Sequence, residues 1–189
     1  MSRERKMTSK VVWEVTMSVD GFIAGPDNQM DWVFPFAGPN PVVDEIIAST
    51  GAVLAGRNSY DVGHQESQPS ETREVHGGKW TGPQFVLTHR PPEDDQSTPF
   101  LSGDIQDAIE VVRNAAGEKN VLIIGADVAR QAVLAGLVDE IIVHLAPLLL
   151  GSGTRFFDYT VTEPIRLGPE EPSVAGAITN LRYQPLKKT

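Results

Sequence analysis

The feature that most constrains this chain is a pattern met three times: an apolar run that stops at a backbone break. The stretches are Met17-Ser18-Val19-Asp20-Gly21-Phe22-Ile23-Ala24, Leu54-Ala55-Gly56-Arg57-Asn58-Ser59-Tyr60 and Ile123-Ile124-Gly125-Ala126-Asp127-Val128-Ala129-Arg130. Two of the breaks carry glycine with a helix start behind it. An α/β protein builds anion-binding positions in this way, gathering backbone N–H groups and the positive end of a helix at the end of a strand. A run as short as Val121 to Ile124, apolar throughout, suits a parallel sheet buried on both faces.

The rest of the chain fits that frame. Lys10 to Thr16 is predicted as the first strand, with a loop behind it to about Pro41. Asp20-Gly21 and Gly25-Pro26-Asp27-Asn28 supply its turns. The apolar Met30, Trp32, Val33, Phe34 and Phe36 predict that this loop packs over something. A helix is predicted over Val42 to Ser49, a buried strand over Ala52 to Ala55, and a helical turn or two from Asn58 to about Gln65. The polar stretch from Glu66 to Gly82 reads as an exposed loop, and Phe85 to Leu87 as a strand. Ile105, Ala108, Ile109 and Val112 have helical spacing, with Ser102 or Asp104 as N-cap and Gly117 as stop. Asp127 to Ala135 reads as a helix with Asp127 as N-cap. Val138 to Leu150 is a strand region interrupted by Pro147, and Ile165 to Leu167 with Val174 to Tyr183 alternate like an antiparallel edge hairpin. The sum is one α/β domain over residues 1–189, mostly parallel with an antiparallel C-terminal edge, and a flexible N-terminus over residues 1–9.

Composition narrows the function. A net charge of −9 argues against a general nucleic-acid or anionic-membrane binder, which needs a basic face. The chain has no cysteine, which excludes disulfides, thiolate catalysis and cysteine metal sites and fits a cytoplasmic protein. No apolar stretch approaches the roughly 20 residues needed to cross a bilayer. His64, His76 and His144 show no metal-ligand spacing, so no metal is expected.

Each candidate site residue also has an ordinary structural reading. Gly56-Arg57-Asn58-Ser59 could hold a phosphate through backbone N–H groups and the Arg57 guanidinium, or be a plain strand-to-helix turn with a surface arginine. Thr88, His89 and Arg90, after the strand ending at Leu87, could hold a ribose 2′-phosphate or be a polar loop. Gly125 would let backbone approach a pyrophosphate closely. Asp20, Asp31, Asp44 and Glu45 are the acid candidates, although acids early in a helix are favoured by its dipole alone. His144, in an apolar strand, reads as a core or interface histidine. Trp32, Phe34 and Phe36 could stack on a flat heterocycle or form a hydrophobic patch.

Together the motifs resemble the dihydrofolate reductase-like superfamily. The most telling are Ala135-Gly136-Leu137-Val138-Asp139-Glu140 and Pro147-Leu148-Leu149-Leu150-Gly151-Ser152-Gly153-Thr154-Arg155-Phe156-Phe157, which look like its riboflavin-biosynthesis reductase branch, the RibD C-terminal domain. The resemblance covers about Val11 to Leu186 and implies the three-layer α/β/α fold of that superfamily. It implies NADPH bound at the strand ends and hydride transfer to a nitrogen heterocycle, most like 5-amino-6-(5-phosphoribosylamino)uracil reductase. Carried over, Ile23 borders the nicotinamide, and Gly56, Arg57, Asn58 and Ser59 hold phosphates. Leu87, Thr88, His89 and Arg90 surround the adenosine and its 2′-phosphate, and Gly125, Ala126, Val128 and Ala129 lie beneath the pyrophosphate. Substrate is expected near Ser18, Asp20 and Trp32, beside the helix bearing Asp44 and Glu45 as catalytic acids. A homodimer is expected. The third turn carries one glycine where the family usually has two. A dihydrofolate- or pterin-type reductase and a non-catalytic small-molecule-binding protein on the same fold are the alternatives.

Overall fold

β-branched runs build the sheet. In the computed structural model, which describes residues 9–64 and 74–186, β1 (Val11–Ser18) lies near the middle. It runs parallel to β6 (Asn120–Ile124) on one side and β7 (Glu140–Ala146) on the other. β3 (Thr50–Gly56), β4 (Gln84–Leu87) and β5 (Phe100–Leu101) continue the parallel array beyond β6. β11 (Ile178–Pro185) turns antiparallel against β7 and carries β9 (Leu167–Pro169) and β10 (Ser173–Ala175) at the edge. The order is β10-β11-β7-β1-β6-β3-β4-β5, with β9 also on β11. The predicted mixed fold, mostly parallel with an antiparallel edge, is the one observed.

Alternation along each strand assigns its faces. Val11, Trp13, Leu54, Ile123 and Val143 face α3 (Ile105–Ala116) and α4 (Ala126–Leu134), meeting Ile109, Val112, Val128 and Ala132 in the larger core. Val12, Val53, Leu122 and Ile142 face the other way, onto Ile46 of α1 (Pro41–Ser49) and onto Trp80. Two of the helices have side-chain N-caps. Asn40 accepts from Val42 N at 3.1 Å before α1, Asp104 accepts from Asp107 N at 2.9 Å before α3, and Gly117 at φ +64° ends α3.

Several boundaries differ from expectation. The stretch read as loop up to Pro41 contains β2 (Phe22–Ala24) and two 3-10 turns. β2 pairs antiparallel with β8 (Thr154–Arg155), a partner far along the chain that local patterning cannot reveal. β5 is two residues long, too short to register as a periodic run. The edge has three strands rather than a two-stranded hairpin, and the strand region ends at Ala146 rather than continuing past Pro147. Asp127 is not the N-cap of α4. Gly125 is, and Asp127 sits in the first turn, accepting from Gln131 Nε2 at 2.8 Å. The predicted flexible N-terminus lies outside the described residues except for its last member, as does part of the predicted loop from Glu66 to Gly82. Of the remainder of that loop, Val75–Gly78 forms a 3-10 turn and Trp80 is buried, donating from Nε1 to Thr50 O at 3.1 Å.

Candidate active site

The parallel strands β1, β3, β4 and β6 deliver their C-terminal ends to one cleft of about 1060 Å³. Open α/β sheets bind ligands at this edge, where loops diverge and N–H groups point outward. Two glycine turns face each other across it. Gly56 precedes α2 (Arg57–Gly63) and Gly125 precedes α4, and neither helix has a side-chain N-cap, so first-turn N–H donors have no side-chain acceptor. Gly125 takes φ +95°, ψ 143°, a conformation open essentially to glycine alone. A Cβ there would stand 2.6 Å from Ser59 Oγ, so the two turns touch through a position that tolerates no side chain.

Arg57 is held at this junction. Its Nε donates to Asp61 at 2.7 Å, and its Nη1 donates to the Arg90 carbonyl in the loop after β4. The same loop is tied to α2 through Asp95, which accepts from Tyr60, Ser97 and Thr98. The Thr98 hydroxyl first, then Ser97 and Tyr60, hold the Asp95 carboxyl well below the usual range. Burial and the Asp95 carboxylate push the Tyr60 phenol up to about 12. This end of the cleft is therefore a rigid polar rim around Thr88 and His89.

The opposite wall is the loop after β1. Asp20 accepts from Ser18 Oγ at 2.6 Å, Leu150 N at 3.0 Å and Gly151 N at 2.7 Å. The Ser18 hydroxyl, with those N–H groups, holds its carboxyl at about 2. Asp20 thus clamps the turn after β7 onto the first loop, and β2–β8 pairing brings Thr154 beside Ile23 and Ala24 on the cleft wall. Gly153 permits that approach, since a Cβ there would lie 2.0 Å from the Ala24 carbonyl oxygen.

Between these walls three titratable side chains converge. Glu14 Oε1 of β1 lies within hydrogen-bond distance of His144 Nε2 of β7, at 3.0 Å, and its second oxygen lies 3.2 Å from His76 Nε2, a close contact whose angle falls short of a hydrogen bond. Their side chains are 8, 6 and 12% exposed for Glu14, His144 and His76, and all three line the cleft. Burial opposes ionisation of Glu14, but the hydrogen bond with His144 and the close His76 ring outweigh it and hold the carboxyl below its ordinary range. Among the described residues no cluster of histidines and acids has metal-binding geometry.

The sequence profile of the RibD C-terminal domain matches residues 9–168. The chain belongs to the RibD C-terminal domain family. Members of this family are reductases. The chain is similar to YyaP, an uncharacterised Bacillus subtilis (strain 168) protein, at 23% identity over 152 residues, which is 78% of this chain and 80% of that one. A Shewanella sp. PV-4 structure described as a riboflavin biosynthesis protein superposes with a TM-score of 0.75 at 22% identity, covering 94% of this chain and 99% of its own. The Thermotoga maritima diaminohydroxyphosphoribosylaminopyrimidine deaminase/5-amino-6-(5-phosphoribosylamino)uracil reductase superposes with a TM-score of 0.66 at 14% identity, over 96% of this chain and 58% of that one. The chain therefore spans little more than half of that bifunctional enzyme.

As a RibD C-terminal domain, the chain brings most of the expected cofactor positions to the cleft. Ile23, Gly56, Arg57, Asn58, Ser59, Leu87, Thr88, His89, Gly125, Ala126 and Val128 line it. Arg90 does not, its side chain being exposed and only its carbonyl engaged, and Ala129 is fully buried in the larger core. The expected substrate residues lie elsewhere. Ser18 is buried and its hydroxyl is consumed by Asp20 and Phe22 N, Asp20 is the loop clamp, and Trp32 sits in a 3-10 turn off the cleft. Asp44 and Glu45, expected as catalytic acids, are exposed and do not line the cleft. α1 turns Ile46 onto the sheet, which points its acids to solvent, and Glu45 pairs with Arg182 at 2.6 Å. Three acids line the cleft, Glu14, Glu74 and Asp127, and the one buried against both histidines is Glu14, which was not among the expected acids. Its signal was present: an acid inside Val11-Val12-Trp13-Glu14-Val15, a strand flanked by parallel neighbours, is costly to bury without a partner.

Proposed function

We propose that the protein is an NADPH-dependent reductase of a nitrogen heterocycle, of the 5-amino-6-(5-phosphoribosylamino)uracil reductase kind found in riboflavin biosynthesis. The observation that carries this reading is the meeting of the Gly56–Ser59 and Gly125–Val128 turns across the cleft, with side-chain space removed at Gly125. Such a cradle suits a pyrophosphate: N–H donors converge from two turns, one guanidinium stands beside them, and nothing bulkier than backbone intervenes. The cleft slightly exceeds the roughly 300–1,000 Å³ of a pocket for one small ligand, which leaves room for a dinucleotide. The residues present therefore fit the cofactor that the family implies.

In this reading the residues divide the work by position. Gly56, Asn58 and Ser59 meet the phosphates through backbone and hydroxyl, and Gly125, Ala126 and Val128 form the bed beneath them. Arg57, braced by Asp61 and the Arg90 carbonyl, presents its charge to the 2′-phosphate side, where Thr88 and His89 complete the rim. Ile23, Ala24 and Thr154 wall the opposite end and exclude water from the reacting face. The bound reduced nicotinamide supplies hydride; the chain supplies orientation and electrostatics. Substrate belongs against Glu14, His76 and His144 rather than beside α1. The reading includes a homodimer and a cytoplasmic location. Exposed Leu149 and Val174 are apolar surface that a second copy could cover, and no described helix is long and apolar enough to cross a membrane.

The test is hydride transfer from NADPH to 5-amino-6-(5-phosphoribosylamino)uracil, followed by loss of nicotinamide absorbance. Turnover supports the reading, and NADPH binding without turnover of this acceptor refutes its substrate. A pterin-type acceptor is the second choice, favoured by the buried acid Glu14, which could meet an amidine-like ring edge. A dihydropterin turned over in place of the uracil would select it.

A further inference from the structure

The polar chain behind Glu14 fixes a protonation state. It starts at the N-cap of α1, where Asn40 Oδ1 accepts from the Val42 backbone N–H at 3.1 Å. A backbone N–H can only donate, so this settles which end of the Asn40 amide is oxygen. Its Nδ2 then donates to Asn180 Oδ1 at 2.9 Å, and Asn180 Nδ2 donates back to Asn40 Oδ1 at 3.2 Å. The same Asn180 Oδ1 lies 2.7 Å from His144 Nδ1. Having only lone pairs to offer, it requires a proton on Nδ1. The other ring nitrogen, Nε2, lies 3.0 Å from Glu14 Oε1. If Nδ1 is a donor, the contact to Glu14 holds a second proton, on the ring or on the carboxyl.

From this geometry we propose that Glu14 and His144 together hold an extra proton at the cleft surface and deliver it to the substrate nitrogen. The proposal rests on the reductase reading above. In the step, the N–H bond at His144 Nε2 breaks and the proton passes to the Glu14 carboxylate, then from that carboxyl to the substrate nitrogen, where an N–H bond forms. The hydride and its electron pair come from the dihydronicotinamide, which is oxidised to the pyridinium, and water restores the proton to His144. A carbon–nitrogen double bond thereby gains one hydride and one proton. His144 is left neutral with its proton on Nδ1, the tautomer that Asn180 requires. The substrate class this selects is one whose hydride-accepting carbon is bonded to a basic nitrogen.

The charged groups on the neighbouring strands are committed to one another. On the same face of β7 and β11, Glu140 and Arg182 are committed to each other at 2.9 Å, with Lys10 on Glu140 and Glu45 of α1 on Arg182. The segment over the cleft contributes His76, in contact with Glu14, and Glu74 two residues before it. His76 is thus the nearest other titrating group.

The experiment is nitrogen NMR of histidine-labelled and carboxyl-carbon NMR of glutamate-labelled, ligand-free protein at pH 7, with NADPH binding and uracil-reductase turnover measured on the same samples. Expected is a His144 ring protonated at both nitrogens, or a Glu14 carboxyl protonated beside a Nδ1-protonated ring. A His144 ring carrying its one proton on Nε2, or an ionised Glu14 beside a ring with a bare Nε2, overturns the proposal without touching the cofactor reading. Glu14→Gln is expected to leave the NADPH dissociation constant within twofold and to lower kcat by about 100-fold or more, the scale of a lost general acid. Glu14→Asp restores part of kcat and a pH dependence. A Glu14→Gln protein with wild-type kcat overturns the proton-delivery role. Should Glu14→Gln fail to fold, the wild-type NMR result decides on its own. Failure of wild-type protein to bind NADPH overturns the reductase reading instead.

Discussion

Gly125→Ala probes the proposed cofactor cradle through backbone strain and through the displacement of Ser59. At φ +95°, ψ 143°, an alanine is strained by about 2 kcal/mol, within the usual range for residues forced into glycine-only regions. The new Cβ also lands 2.6 Å from Ser59 Oγ, so Ser59 must rotate away. For a chain of this size about 2 kcal/mol lowers the melting temperature by about 4–8 °C. The second effect falls on the ligand. Losing one charge-assisted hydrogen bond from the displaced Ser59 costs about 1.5–3 kcal/mol, or about 10- to 150-fold in NADPH affinity. Thermal melts and fluorescence titrations of wild type, Gly125→Ala, Ser59→Ala and the double variant separate the two. In the double variant the overlap is gone while the φ strain stays, so the variants couple in affinity and add in backbone strain. A Gly125→Ala protein that melts several degrees lower but binds NADPH as wild type does would refute the placement of the pyrophosphate here. One as stable as wild type would refute the strain argument.

Three further outcomes are expected. Arg57→Ala raises the NADPH dissociation constant about tenfold while barely moving the melting temperature, since its pair with Asp61 is partly exposed; unchanged cofactor binding would remove Arg57 from the site. Asp20→Asn lowers the melting temperature at pH 7. Because the folded carboxyl sits at about 2, below its ordinary value near 4, that advantage is present above about pH 4 and fades as pH falls toward 2. Melts of the two proteins should therefore converge in acid, and a difference that persists near pH 2 would assign another role to Asp20. Asp44→Asn and Glu45→Gln leave kcat within twofold, and a hundredfold loss in either would return α1 to the chemistry.

The end of the cleft built from the two glycine turns was legible in the sequence because its signals are local. A glycine between a buried strand and a helix states its own conformation, and Gly56 and Gly125 stand where those signals placed them. The end around Glu14 was not, because it is assembled from distant residues. Glu14, His76 and His144 come from two strands and a loop and converge only through the register of β1 with β7. Asp44 and Glu45 drew attention as acids at a helix start. The face of α1 is set by which apolar residues reach the sheet, and Ile46 settles that against them. Asp20 shows the opposite confusion: an acid in a glycine turn after the first strand that serves the loop, because its partners are the backbone of Leu150 and Gly151.

The central claim is a nicotinamide dinucleotide lying across the two glycine turns with its 2′-phosphate at the Arg57 rim. Titration of the purified protein with NADPH and with NADH, followed by nicotinamide fluorescence, tests it most directly. Micromolar binding of NADPH and much weaker binding of NADH are expected. Binding of neither would contradict it and leave a small-molecule-binding protein on a reductase fold.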